Sequence, residues 1–332
     1  MRGWRILLVV LLSLTVIAWS EVKPDYVIRF STVAAPTQPQ VLAMQKFAEI
    51  VEELSGGKIK VEVYHSGQLG DQRTELLAVM RGDLEMCSDS APSWFADLAA
   101  MPEFGVFEAA YAFRDLDHMY RVMTSQMVQE LFDKLAKKTN LRVLDVWYLG
   151  TRELNFIERV GPVRKPEDLK GVKLRMPNNK TFLHMARALG ANPTPMSFTE
   201  VYLALKTGAV DGQDNPLPTD YSAKFCEVTH YIVLTDHQIG MICPVINEKL
   251  WQSMPEEYRN YIKRAIQVAR YYMNYTVLEQ EAKLLKLFRE QYGMEIIVPD
   301  KEAFIKHAHE YYLNNPAFDE KWKELYRKIQ EM

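Results

Sequence analysis

The sequence has few of the features that define several common protein classes. Three cysteines among 332 residues, an odd number without metal-type spacing, do not make a disulfide scaffold. The 40 basic and 43 acidic residues give a formal net charge of −3, without the basic excess typical of nucleic-acid-binding proteins. We therefore expect no nucleic-acid partner. Cys87, Cys226 and Cys243 are predicted to be buried thiols, and a disulfide between two of them stays an alternative.

Long apolar runs are absent after the first twenty residues, so no membrane-spanning segment is predicted there. At the N-terminus, two arginines precede an apolar run over residues 6–18. Ala18 and Ser20 then place small side chains at the −3 and −1 positions of a cleavage site. This three-part pattern is typical of a secretory signal peptide. We predict that residues 1–20 are removed near Ser20 and that the protein is exported and soluble.

Motifs of the common enzyme classes are also missing. The sequence has no G-x-S-x-G, no phosphate-binding G-x-x-x-x-G-K-[ST], no dinucleotide-binding G-x-G-x-x-G and no H-E-x-x-H. The seven histidines are scattered and show no metal-ligand spacing. We therefore predict no catalytic residues, no metal and no cofactor, and an enzyme stays only an alternative.

Strand and helix patterns alternate along the chain. Alternating apolar and polar residues predict strands at 26–31 and 58–64, with a helix at 41–54 between them. A helix is further predicted over 116–138 and a strand over 141–148. Strands that alternate with helices at this spacing favour parallel sheets built from βαβ units.

One helical pattern is unusually long. It begins at a capping box at Ser253, continues to about residue 291 and stops before Gly293. Because average helices have only about 11–12 residues, we expect this helix to bend or to reach between two structural units. The chain length also predicts two domains. The fold class is therefore α/β with two domains.

Two arginines and an asparagine are candidates for binding an acidic ligand. Arg152 and Arg175 follow or end predicted strands, and ligands of open α/β sheets bind beyond the carboxyl ends of strands. The guanidinium fork matches a carboxylate bidentately, and Asn215 offers an amide beside Pro216. The residues alone leave open that each arginine pairs with a surface carboxylate.

Several motifs in sequence order resemble one transport family. They are GTR at 150–152, DLKGVKLRMP at 168–177, GANPTPMSFTEVYLAL at 190–205 and VDGQDNP at 210–216, with GQLGD at 67–71 and LTDH at 234–237. This combination resembles the substrate-binding subunit of tripartite ATP-independent periplasmic (TRAP) transporters. The resemblance covers essentially the whole chain after residue 20.

The resemblance implies a fold and a location. It implies a two-domain periplasmic binding protein with a ligand cleft between the domains and a long helix that spans both. The domains would comprise residues 21–149 plus about 241–280, and residues 150–240 plus about 281–332. The protein would act in the periplasm and deliver its ligand to the membrane subunits of a sodium-coupled TRAP permease.

The resemblance also implies residue roles in a locally basic cleft. Arg175 would pair with the ligand carboxylate, Arg152 would be a second cleft arginine, and Asn215 and Phe198 would contact the ligand. The other predicted ligand-binding residues are Asp89, Ser90, Trp147 and Gln72. Trp147 is equally compatible with a place in the core.

The predicted ligand is a small organic acid. The sialic-acid branch of the family has polar residues where this chain has Val33, Gln72 and Ser90, which argues against sialic acid. Asp89 suits a hydroxyl-bearing ligand and would repel a second carboxylate, which favours a sugar acid or a hydroxy or keto acid over a dicarboxylate. The alternatives are a ligand-sensing partner of a membrane receptor and, less favoured, a secreted enzyme acting on an organic acid.

Overall fold

The computed structural model describes residues 23–332, which contain two mixed β-sheets surrounded by helices. The predicted signal peptide lies outside these residues. The strands are β1 (Tyr26–Ser31), β2 (Ile59–Tyr64), β3 (Met86–Cys87), β4 (Leu141–Val143), β5 (Trp147–Phe156), β6 (Lys173–Met176), β7 (Asn192–Pro195), β8 (Gly212–Pro216), β9 (Tyr231–Ile242), β10 (Val245–Asn247) and β11 (Glu295–Ile297).

The helices lie between and after these strands. They are α1 (Pro39–Ser55), α2 (Gln72–Arg81), α3 (Pro92–Leu98), α4 (Leu116–Met123), α5 (Gln126–Thr139), α6 (Lys180–Ala188), α7 (Val201–Thr207), α8 (Leu217–Ser222), α9 (Glu248–Ser253), α10 (Glu256–Tyr292), α11 (Lys301–Asn314) and α12 (Glu320–Glu331). None of the helices within 23–332 has the length and apolar character needed to cross a membrane.

Both sheets are mixed, so the prediction of parallel sheets is only partly right. The first sheet has the order β2-β1-β3-β10-β4, with β10 antiparallel to both of its neighbours. The second has the order β11-β9-β5-β8-β6-β7, with β5 antiparallel to β8 and β9. The antiparallel strands arise where the chain passes from one sheet to the other. The local spacing of strands and helices does not predict these crossings.

The chain passes between the sheets three times. It leaves the first sheet after β4, returns from β9 to β10, and enters the second sheet again at β11. The predicted domain bounds assign β1 to β4 and β10 to one domain and the other strands to the second. The last helix, α12, packs against residues 102–108, which lie between β3 and β4 in the chain, and Tyr326 Oη donates to Ala110 O at 2.9 Å.

The long helix is present, as predicted, and has 37 residues. At 1.5 Å per residue it spans about 55 Å, packing against α1 beside the first sheet and against β5 and α8 beside the second. It begins at Glu256 after Pro255, and not at the predicted capping box. Ser253 instead ends α9, and its hydroxyl donates to Leu250 O at 2.7 Å.

Two predicted elements are each divided in the structure. The helix predicted over 116–138 is α4 and α5, because Ser125 has an extended backbone conformation between them. The strand predicted over 141–148 is β4 followed by the start of β5. Arg152 therefore lies within the ten-residue strand β5 and does not follow a strand end.

Cys87, Cys226 and Cys243 are buried free thiols, and no disulfide joins any of them within the part of the chain that the structure describes. Burial raises the pKa of Cys87 and Cys243 well above the ordinary value of a thiol. These two thiols are therefore kept in the neutral form, as expected for structural cysteines.

Candidate ligand-binding site

A cavity lies between the part of the chain that surrounds the first sheet and the part that surrounds the second, which are called here the two halves of the molecule. Residues of both halves line it. Including the part open to solvent, its empty volume is about 580 Å³, within the range typical of small-molecule sites. The polar and aromatic residues that line it from the first half are Gln38, Gln40, Gln72, Asp89, Trp94 and Glu108. Those from the second half are Arg152, Arg175, Phe182, Phe198, Asn215 and Thr219.

Most of the predicted site residues meet at this cavity. Those that line it are Arg175, Arg152, Asn215, Phe198, Asp89 and Gln72. The structure does not bring Trp147 and Ser90 to its lining. The Trp147 side chain is fully buried in the main hydrophobic core, and the Ser90 hydroxyl donates to the carbonyl oxygen of Cys243.

Arg175 is a buried cation in this cavity. It lies on β6, and only 1% of its surface is exposed. Its Nε and Nη2 donate to Met196 O at 3.1 and 2.8 Å, and its guanidinium carbon lies 5.9 Å from the centre of the Phe198 ring. Within residues 23–332 it forms no ion pair with a carboxylate. Burial lowers the pKa of Arg175 to about 9, so the group stays charged at neutral pH.

The charge of Arg152 is balanced within the protein. Its Nε donates to Asp214 Oδ2 at 2.7 Å, and its Nη2 donates to the Asp214 carbonyl oxygen at 2.7 Å. The guanidinium carbon lies 5.0 Å from the centre of the Phe182 ring. Burial opposes the charge of Asp214. The charge of Arg152 and hydrogen bonds from His237 and Arg152 nevertheless hold the pKa of this carboxyl well below its usual range.

His237 completes the partners of Asp214. Its Nε2 lies 3.2 Å from Asp214 Oδ2, and its Nδ1 lies 2.8 Å from Thr235 Oγ1. We assign the proton to Nε2, because the carboxylate only accepts hydrogen bonds, and the Thr235 hydroxyl then donates to Nδ1. Burial lowers the pKa of His237, so the imidazole is neutral at pH 7.

Asn215 reaches the cavity from β8. Its Nδ2 donates to Gln213 Oε1 at 2.5 Å, and Gln213 Nε2 in turn donates to Asp220 Oδ1 at 2.8 Å. The side-chain oxygen of Asn215 has no hydrogen bond within residues 23–332, and the residue lines the cavity. β8 approaches β5 closely because Gly212 has no side chain: a Cβ there would lie 2.3 Å from Phe156 Cδ1.

Two buried carboxyl groups form the opposite wall, so the cleft is not simply basic as predicted. Asp89 Oδ1 accepts from Gln40 Nε2 at 2.9 Å, and Asp89 Oδ2 accepts from the Val33 amide at 2.5 Å. Glu108 Oε2 accepts from the Ser93 amide at 2.5 Å. Burial raises the pKa of both carboxyl groups.

Glu108 is the main site residue that the sequence analysis did not find. It lies in the apolar stretch FGVFEAAYAF at residues 104–113, and a single acidic residue in such a stretch indicates a carboxyl group in the interior. That signal predicts burial but does not connect Glu108 with Arg152, which is distant in sequence.

The two halves of the molecule touch around the cavity, so the cleft is closed in this structure. Four of the hydrogen bonds between them involve polar side chains or the backbone amide of Lys180 on α6. They join Gln38 Nε2 to Thr219 Oγ1 (3.2 Å), Ser197 Oγ to Asp71 Oδ2 (3.3 Å), Asn179 Nδ2 to Ser93 Oγ (3.3 Å) and the Lys180 amide to Asp97 Oδ2 (3.1 Å).

The site has the chemistry of anion binding. No group of three or more His, Cys, Asp or Glu side chains among residues 23–332 is placed to hold a metal ion. The cavity contains a buried arginine without a carboxylate partner, and it is enclosed by two α/β halves connected by crossing strands. These features define a two-domain solute-binding protein.

Comparison with known proteins identifies the family. The model of the bacterial extracellular solute-binding proteins of family 7, DctP, matches residues 30–318. The chain belongs to this family, whose members are the TRAP solute-binding proteins, substrate-binding proteins of transporters. This match confirms the predicted family, and the likeness to solved TRAP solute-binding proteins given below confirms the predicted two-domain fold.

Individual relatives match along most of their length. The chain is 37% identical over 295 residues to the sialic acid-binding periplasmic protein SiaP of Vibrio cholerae, covering 88% of each chain. It also resembles two TRAP periplasmic solute-binding proteins of Roseobacter denitrificans. One has 3-deoxy-D-manno-oct-2-ulosonic acid bound (TM-score 0.85, 33% identity, 92% of this chain and 99% of that chain). The other has L-galactonate bound (TM-score 0.85, 29% identity, 92% and 99%).

Proposed function

We propose that this protein binds a polyhydroxylated organic monoacid in its closed cleft and delivers it to the membrane subunits of a TRAP permease. The observation that carries the proposal is Arg175, which is 1% exposed and whose guanidinium donates only to Met196 O, with no carboxylate partner within residues 23–332. A buried, unpaired charge is costly. A ligand carboxylate that fills the cavity supplies the missing counterion.

Arg175 is the anchor and Arg152 supports it. Arg152 already has Asp214 as its counterion, so a ligand carboxylate gains most from the charge of Arg175. Two donors of Arg175 are directed at the Met196 carbonyl oxygen, which fixes the orientation of the guanidinium plane. The ring of Phe198 packs beside it, and Asn215 offers its amide oxygen to a ligand hydroxyl.

The opposite wall favours hydroxyl groups over a second carboxylate. Asp89 and Glu108 are acidic, buried and in the same cavity as Arg175. A dicarboxylate bound to Arg175 would bring its second negative charge toward these groups, whereas hydroxyls can donate hydrogen bonds to them. The acids bound by the relatives named above carry several hydroxyls, which supports a sugar acid. Val33 offers no polar side chain to the ligand, which favours a sugar acid other than sialic acid.

The proposal includes export and the absence of catalysis. The signal-peptide pattern supports cleavage near Ser20 and a periplasmic location, and the function of the family supports coupling to a permease. We propose that the ligand leaves the cleft chemically unchanged. The paired state of Arg152 and Asp214 and the neutral form of His237 support a network that holds Arg152 in place.

A thermal-shift screen of organic acids tests the proposal. Wild-type protein is expected to gain thermal stability with L-galactonate or with 3-deoxy-D-manno-oct-2-ulosonic acid, because a ligand that binds only the folded state stabilises it by mass action. Sialic acid and succinate serve as comparison acids. The absence of a shift with every acid would contradict the proposal, and chemical conversion of the stabilising acid would favour an enzyme.

A further inference from the structure

Glu108 lines the ligand cavity with a carboxyl group whose hydrogen-bond donors in the protein come from Ser93 alone. Its Oε2 accepts a hydrogen bond from the Ser93 amide, which belongs to the first turn of α3. Apart from Ser93, whose hydroxyl also acts on the carboxyl group, no residue among 23–332 donates a hydrogen bond to the Glu108 side chain. Because the side chain is only 3% exposed and Oε2 is fixed by the Ser93 amide, Glu108 presents an acceptor in a defined position.

Arg152 presents an unused donor to the same cavity. Its Nε and Nη2 are directed at Asp214, whereas Nη1 donates no hydrogen bond within the described part of the chain. The charge of Arg152 is felt at the Glu108 carboxyl group, but the two side chains form no ion pair within 4 Å of each other. Both side chains line the same cavity, so a ligand group placed between them meets an acceptor of Glu108 and the Nη1 donor of Arg152.

An acceptor on Glu108 and a donor on Arg152 together favour one functional group of the ligand. A hydroxyl donates its hydrogen to a carboxylate oxygen and accepts a hydrogen bond from a guanidinium at the same time. A ligand carboxylate or ketone cannot donate to Glu108, and an ammonium group cannot accept from Arg152. A methyl group would leave both buried polar groups without partners, which costs free energy.

We propose that Glu108 determines specificity by binding, together with Arg152, a hydroxyl group of the ligand at a distance from the carboxylate held by Arg175. This inference rests on the proposed function, because it requires an organic acid anchored at Arg175. It adds that the ligand is a hydroxy acid and that Glu108 disfavours a second carboxylate at this position.

Calorimetry with three acids tests the assignment. L-Galactonate, 3-deoxy-D-manno-oct-2-ulosonic acid and succinate are titrated into wild type, Glu108→Gln and the control Glu103→Gln, which alters a carboxyl group five residues earlier that does not line the cavity. The glutamine oxygen can accept from the Ser93 amide and then turns its NH₂ group to the ligand. We expect the hydroxy acid that binds wild type to bind Glu108→Gln about 10- to 100-fold more weakly, the scale of a charged hydrogen bond.

Succinate distinguishes specificity from general damage. Its affinity for Glu108→Gln should be unchanged or higher than for wild type, and Glu103→Gln should resemble wild type with all acids. An equal loss for succinate and the hydroxy acid, or no loss for either, would overturn the role of Glu108. Tight binding of succinate alone by wild type would overturn it while leaving an acid-binding site in place. Binding of none of the three acids would overturn the proposed function itself.

A crystal structure of wild type with L-galactonate keeps the inference testable if Glu108→Gln does not fold. The expected complex has a ligand hydroxyl within hydrogen-bond distance of both Glu108 Oε1 and Arg152 Nη1. A complex in which another group of the ligand, or no ligand atom, lies between these two side chains would overturn the inference.

Discussion

Arg152 Nε lies 2.7 Å from Asp214 Oδ2, and the two side chains are almost completely buried, with 6% and 0% of their surfaces exposed. This ion pair neutralises one of the two arginines of the cavity and leaves Arg175 as the cation without a protein counterion. The division of roles between the two arginines follows from this contact.

Asp214→Asn should strongly destabilise the protein. The substitution leaves Arg152 buried without a counterion, and breaking a buried ion pair costs about 3–5 kcal/mol. Urea unfolding at pH 7 measures this loss. Asp83→Asn, which removes the partner of Arg81 at the exposed surface, is the control and should cost at most about 1 kcal/mol. Equal effects of the two substitutions would contradict the role of the buried pair.

The effect of Asp214→Asn should depend on pH. The folded state holds the pKa of Asp214 well below its usual range, so this group stabilises the fold above the ordinary carboxyl pKa of about 3.9. That contribution is lost as the pH falls toward the pKa of the folded state. The difference in unfolding free energy between wild type and Asp214→Asn should therefore shrink below about pH 4, and a constant difference would contradict this account.

Glu75→Gln should stabilise the protein increasingly as the pH rises. Glu75 on α2 is fully buried, and burial, with a smaller effect of the Asp89 charge, raises its pKa to about 9. The folded state therefore binds a proton that the unfolded state releases above about pH 4.5, and wild type loses stability relative to the neutral variant. The expected gain is about 1.4 kcal/mol per pH unit between these values.

Urea unfolding at pH 5, 6, 7 and 8 measures the gain of Glu75→Gln. Glu53→Gln changes an exposed carboxyl group on α1 and serves as the control with a pH-independent effect. A Glu75→Gln difference that does not grow between pH 5 and 8 would show that Glu75 is ionised in the folded protein.

Gly150→Ala should lower the thermal stability of the protein, because Gly150 on β5 lies close to Pro216 on β8. Gly150 has a φ of +122°, and a Cβ there would lie 2.5 Å from Pro216 Cβ and 3.1 Å from Glu281 Oε1. Gly161→Ala is a matched control, because Gly161 has a φ of +77° but no atom within 4 Å of a new Cβ. Strain at positive φ costs about 1–2 kcal/mol in both variants, and overpacking should add about 1–3 kcal/mol at Gly150. Equal thermal stabilities of the two variants would contradict the close packing.

Asp97→Ala should weaken all ligands to a similar extent. Asp97 accepts a hydrogen bond from the Lys180 amide across the closed cleft but does not line the cavity. Loss of one such bond costs about 0.5–1.5 kcal/mol, or about 2- to 12-fold in affinity. Calorimetry with two acids checks this, with Asp117→Ala on the exposed face of α4 as the control. A change in the ranking of the acids would contradict a role limited to closure.

The sequence predicted the elements of the site that depend on local patterns and on family motifs. Arg175 and Asn215 lie in compact motifs, and both line the cavity. Trp147 was predicted there as well. Its orientation depends on β5, which has register shifts between Tyr148 and Gly150 and between Arg152 and Leu154. A shift of one residue turns a side chain to the other face of a sheet, so residue spacing alone does not predict which face Trp147 occupies.

Long-range contacts account for the other differences. The Ser90 hydroxyl donates to the carbonyl oxygen of Cys243, and Glu108 and Arg152 line the same cavity only in the folded chain. The mixed sheets have the same origin, because β10 joins the first sheet after the chain has passed through the second. The periodicity of apolar residues predicts single helices and strands, but it does not predict contacts between residues that are distant in sequence.

The most direct test of the central claim compares wild type with Arg175→Lys by isothermal titration calorimetry. The titrant is the acid that stabilises wild type most among L-galactonate, 3-deoxy-D-manno-oct-2-ulosonic acid and sialic acid. Lysine keeps the charge but loses the guanidinium fork, so binding should weaken by at least about 1.5–3 kcal/mol. Arg187→Lys, on the far turn of α6, should bind as wild type does. Unchanged affinity of Arg175→Lys would contradict the assignment of Arg175 as the carboxylate anchor.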